Sequence, residues 1–172
     1  LFEAAAGIVD GARMIYVSGV GGASAVQAQE VQSRLVRLGY PIAVYSDAVL
    51  LPRVAATLDV RDAVVILSAS GLTPEIVGAA RIVKQYRARI VAVTDATSEL
   101  AKLADVVLPI RTDETDFIYK PSASRYAMML AIDLLSTELA MLNQEENRER
   151  LRRIKLALDE HRAGPNRLPV GD

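Results

Sequence analysis

The stretch Ala63-Val64-Val65-Ile66-Leu67-Ser68-Ala69-Ser70-Gly71-Leu72-Thr73-Pro74-Glu75 runs from an unbroken apolar segment, through a turn of small hydroxyl residues and glycine, into the opening of a helix. The apolar run is β-branched and does not alternate with polar residues. That pattern marks a strand buried on both faces, as in a parallel sheet covered by helices. Thr73 is the predicted N-cap and Pro74 the first helical residue, and the stripe Ile76, Ala80, Val83 carries the helix to Tyr86.

The same alternation extends in both directions. Apolar runs recur at Met14 to Val17, Ile42 to Tyr45, Ile90 to Val93 and Val106 to Ile110. Between them, Ser24 to Leu38 has helical period and is stopped by Gly39 and Pro41, and shorter helices are expected at Val49 to Leu58 and Ser98 to Leu103. Strand alternating with helix requires right-handed crossovers and gives a three-layer α/β/α sandwich, with ligands at the carboxyl ends of the strands. Ser122 to Leu142 is apolar nearly all round, which predicts burial on both sides, as central core or as part of a subunit interface. Gln144 to Arg162 pairs Glu146 with Arg150 and Glu149 with Arg153 at four-residue spacing, the pattern of a solvated helix.

Size and charge bound the function. A chain of 172 residues, 51% hydrophobic and 24% charged, suits one folded domain, expected over 1–162, with 163–172 as a frayed tail. Lys plus Arg (20) nearly cancels Asp plus Glu (21), so no net positive field draws this chain onto nucleic acid. There is no cysteine and His161 is the single histidine, so thiolate and multi-histidine metal centres are excluded, and no cofactor is expected. No apolar run reaches the ~20 residues of a bilayer span and no signal segment opens the chain, so a soluble cytoplasmic protein is expected. Leu1 to Ala12 reads as a helix already under way, which suggests further sequence upstream.

The turn Ser68 to Thr73 is the most informative segment. Hydroxyls around a glycine let the backbone bend and aim N–H groups into one concavity, and the helix that follows adds the positive end of its dipole, so Ser68, Ser70, Gly71, Leu72 and Thr73 are candidate phosphate ligands. An ordinary strand-to-helix turn capped by Thr73 is the competing reading. A second loop, Ser18-Gly19-Val20-Gly21-Gly22-Ala23-Ser24, approaches a dinucleotide fingerprint. Ser24 replaces its third glycine, however, and the nearest carboxylate, Asp47, lies too far along. Gly19, Gly21, Gly22 and Ser24 are better read as a close-approach wall for the rest of a phosphorylated ligand. A third candidate region, Asp113 to Ser124, supplies Glu114, Asp116, Ser122 and Ser124, where either serine also suits an N-cap.

Together these segments resemble the sugar isomerase (SIS) domain of RpiR-type transcriptional regulators, over Leu1 to Arg162. The resemblance rests on Tyr16-Val17-Ser18-Gly19-Val20-Gly21, Leu67 to Glu75, Ile90-Val91-Ala92-Val93-Thr94-Asp95, and Ser98 to Leu108. It implies a flavodoxin-like five-stranded parallel sheet, a homodimer or homotetramer, and a sugar phosphate held mainly by Ser68 to Thr73. It also implies DNA reading by an N-terminal helix-turn-helix domain that has no counterpart in this chain. Where the family often has serine after the glycines of the first loop, this chain has Ala23 with Ser24 adjacent.

Related SIS proteins isomerise aldose and ketose phosphates, which requires a carboxylate base and usually an acid to open the ring. Glu114 is the better base candidate here, because Glu75 sits where a helix dipole alone favours an acid. Neither has a visible partner and His161 ends a charged helix. A sensor is therefore expected ahead of an isomerase, with no catalytic residue assigned. A dimerisation module with a vestigial pocket is the third class.

Overall fold

A computed structural model of the chain describes residues 1–111 and 123–162. Glu114, Asp116, Ser122 and the expected tail 163–172 lie outside the described residues. The elements run α1 (Phe2–Asp10), β1 (Met14–Ser18), α2 (Gly22–Val36), β2 (Ile42–Tyr45), α3 (Leu51–Ala55), β3 (Asp62–Leu67), α4 (Pro74–Gln85), β4 (Arg89–Thr94), α5 (Glu99–Leu103), β5 (Val106–Pro109), α6 (Ala123–Leu142) and α7 (Gln144–Arg162). All five strands are parallel in the order β2-β1-β3-β4-β5. This is a three-layer α/β/α sandwich, as the alternating pattern predicts.

Because successive strand residues face opposite sides, each strand feeds two separate cores. Ile15, Val17, Val65, Leu67, Val91 and Val93 pack against α1, α2 and α6. Val64, Ile66, Ile90 and Ala92 pack against α3, α4 and α5. Every residue of β3 is buried, which accounts for its unbroken apolar run. Two predicted helices are trimmed or shifted: α3 is limited to Leu51–Ala55, and α2 begins at Gly22 rather than Ser24.

Helix α6 departs from its predicted burial. Met128, Ile132, Leu135 and Leu139 are buried on the sheet side, whereas Tyr126 (75% exposed), Leu130 (59%), Leu134 (41%) and Met141 (60%) form a stripe on the opposite face. The helix is thus not central core, and no described residue covers its second apolar face. Beside this stripe, a groove of about 240 Å³ is lined by Phe2, Pro109, Ile110 and Leu130 among others.

Helix α7 is tied down by polar contacts at its start. Buried Asn147 donates its Nδ2 to the carbonyls of Leu139 (3.2 Å) and Ala140 (3.1 Å), while Arg150 Nη1 donates to Leu38 O at 2.9 Å. Arg150 lies against Gly39, where φ is +79° and a Cβ would fall 2.8 Å from the guanidinium Nε. Both predicted pairs form, Glu146 with Arg150 and Glu149 with Arg153.

Candidate functional site

β1 and β3 are hydrogen-bonded neighbours, and the sheet order reverses between them. The loops leaving their carboxyl ends therefore start side by side at the switch point where open α/β sheets bind ligands. Each loop leads into a helix with no side-chain cap on its first-turn amides. Gly21 opens α2 at φ +87°, and Thr73 opens α4. Gly19 is needed sterically, because a Cβ there would lie 2.2 Å from Ser24 O.

Within the second loop, the two serines serve the backbone. Buried Ser68 accepts from Gly71 N at 3.2 Å, and exposed Ser70 accepts from Leu72 N at 3.3 Å. Gly71 adopts φ +61°, and a Cβ there would meet Ser98 Oγ at 2.2 Å and Thr94 Oγ1 at 2.4 Å. Gly71 O also accepts from Leu100 N (3.2 Å), and Ala69 O from Asp95 N (3.2 Å). The loop is thereby pinned to the turn after β4, where Ser98 caps α5 by accepting from Ala101 N.

Thr73 holds the N-cap position, as predicted, but its side chain makes no cap hydrogen bond. In the competing reading, an ordinary strand-to-helix turn capped by Thr73, the residue holds the expected position but contributes no side-chain bond. Among the described residues, none takes up the Thr73 hydroxyl or the free first-turn N–H groups of α4.

A cavity of about 420 Å³ opens beside this loop, lined by Ala69, Ser70, Leu72, Asp95, Thr97, Ser98 and Ile110. It brings Ser70 and Leu72 together with the turn after β4. Gly19, Gly21, Gly22 and Ser24 do not line it, and neither does Ser68. Ser124 stands in the first turn of α6. Asp95 and Thr97 were missed in the sequence, although their place at a strand's carboxyl end was a usable signal. Asp95 Oδ1 accepts from Thr97 N (2.8 Å) and Thr97 Oγ1 (2.6 Å). These two bonds, the hydroxyl first, and then the more distant Arg111, hold its carboxyl below the usual range. Glu75 lies in the first turn of α4 and is exposed. No group of His, Cys, Asp and Glu among the described residues is arranged to hold a metal ion.

The SIS domain family matches residues 9–138. The chain belongs to the SIS domain family. Among curated relatives, this SIS domain is 32% identical to the HTH-type transcriptional regulator HexR of Escherichia coli over 152 residues, covering 88% of the chain and 52% of HexR. Among solved structures, it resembles the sugar isomerase domain of the RpiR transcription factor from Sphaerobacter thermophilus, with TM-score 0.78, 24% identity, and coverage of 89% of this chain and 84% of that one. It also resembles the Vibrio vulnificus NanR protein solved in complex with ManNAc-6P, with TM-score 0.83, 22% identity, and coverage of 96% and 61%. Those two likenesses concern the fold. The SIS domain spans about half the length of the curated regulators it matches.

Proposed function

We propose that this SIS domain is the effector-sensing part of an RpiR-type transcriptional regulator of carbohydrate metabolism, and that it binds a sugar phosphate. The reading is carried by the uncapped start of α4, which directly follows Ser70 and Leu72 of the loop lining a cavity of about 420 Å³, although Gly71 and Thr73 do not themselves line it. A helix N-terminus with free donors favours a phosphate without any lysine. The match to HexR and the NanR complex support the same reading. The phosphate sits on Ser70 to Thr73, shaped from beneath by Ser68, and Gly19, Gly21, Gly22 and Ser24 wall the neighbouring loop. Ser124, in the first turn of α6, is a further sugar-side candidate; Glu114 and Ser122 lie outside the described residues.

DNA is read by a helix-turn-helix domain elsewhere in the full-length protein, which works in the cytoplasm. Two SIS domains pair through the uncovered face of α6, since a stripe with four large apolar side chains is the kind of patch that marks an association surface. Ligand binding then shifts the population between dimer arrangements with different fitness for DNA.

The test is to titrate sugar phosphates into the domain while following both melting temperature and aldose–ketose interconversion. A ligand-dependent rise in Tm without turnover is expected. Turnover at ordinary enzymatic rates reassigns the domain as a phosphosugar isomerase, and no rise with any phosphate ester leaves only a dimerisation module.

A further inference from the structure

Among the described residues, the lining of the cavity beside the loop includes a single charged group, and that group is negative. Asp95 projects from the turn after β4, and the other lining residues Ala69, Ser70, Leu72, Thr97, Ser98 and Ile110 are neutral. Thr97 occupies only Oδ1 of the carboxylate. Oδ2 receives no hydrogen bond from any described residue and remains an acceptor. Arg111, the cation that acts on Asp95 electrostatically, lines the groove beside α1 and α6, which shares Ile110 with this cavity. It therefore biases Asp95 toward its charged form without entering this cavity's wall.

From this arrangement we infer that Asp95 is a specificity-determining residue that selects phosphorylated sugars whose remaining groups are neutral or cationic, and rejects phosphorylated sugar acids. The inference rests on the proposed phosphate site, from which it takes the orientation of the ligand. With the phosphate at the start of α4, the rest of the ligand extends along the cavity toward Asp95. A hydroxyl or ammonium there donates to Oδ2. A carboxylate there meets a like charge, and the repulsion amounts to a factor of about ten in affinity.

The experiment measures dissociation constants by calorimetry for glucose 6-phosphate, glucosamine 6-phosphate and 6-phosphogluconate, on the domain and on Asp95→Asn. Asparagine keeps an oxygen for Thr97 and removes only the charge. For the unsubstituted domain, 6-phosphogluconate is expected to bind about tenfold or more weakly than the other two, and in Asp95→Asn the gap is expected to close to within about threefold. Equal binding of the acid and the neutral ester by the unsubstituted domain, or a gap that persists in Asp95→Asn, overturns the inference and leaves the phosphate site standing. Failure of all three esters and of inorganic phosphate to bind overturns the inference together with the phosphate site.

Discussion

The side chain that Gly71 lacks defines how tightly the loop proposed to bind phosphate is held. With φ at +61° and two hydroxyl oxygens inside the radius of any Cβ, Gly71→Ala must displace either the loop or the turn carrying Ser98. It is expected to cost about 1–3 kcal/mol in urea melts and to remove the sugar-phosphate-dependent rise in Tm. Ser70 separates these two effects, since it is exposed and donates nothing to the core. Ser70→Phe is expected to leave the ligand-free melting temperature within a degree or two, roughly as for other surface changes, while abolishing the ligand-dependent rise. Ser68 and Ser70 were legible as loop residues from their letters, yet their present bonds, to the amides of Gly71 and Leu72, followed only from the folded turn. Asp95 and Thr97 escaped the sequence because an aspartate bonded to the residue two positions on has the composition of any polar turn. Only the folded cavity sets it apart.

At the scale of elements, the strands were readable because burial on both faces leaves an unmistakable continuous run, and β3 matched its prediction to within one residue. α6 was readable as a helix but its environment was not, since an all-apolar circumference does not say which face has a neighbour. α7 was correctly read as solvated, yet its anchor, Asn147, is a polar residue buried by contacts with α6 that no local pattern encodes. Asn147→Ala is expected to lower stability by about 1–3 kcal/mol and to raise hydrogen exchange selectively along α7. Acid weakens the same helix. Arg152 and then Arg153 hold the Glu149 carboxyl down to about 2, below its unfolded value. A carboxylate depressed in the folded state contributes stability above its unfolded pKa and loses it as pH falls. Helicity of α7 is therefore expected to decline between about pH 4.5 and 2, and less so in high salt, because the pairs are exposed.

At the scale of the whole molecule, the sheet places two uncapped helix starts side by side at one pole, and among the described residues the outer face of α6 is bare along one flank. Leu130→Asp puts a charge in the centre of that stripe without touching the core. Sedimentation equilibrium is expected to show the unsubstituted domain as a dimer or tetramer and Leu130→Asp as a monomer. A monomeric unsubstituted domain at micromolar concentration would refute pairing through this face. The bare flank of α6 also bears on how the protein behaves when it is scarce. If folding and pairing are linked through it, heat resistance becomes a function of abundance. A tenfold dilution should then bring unfolding at a lower temperature, and a cell making few copies would hold a less robust sensor than one making many.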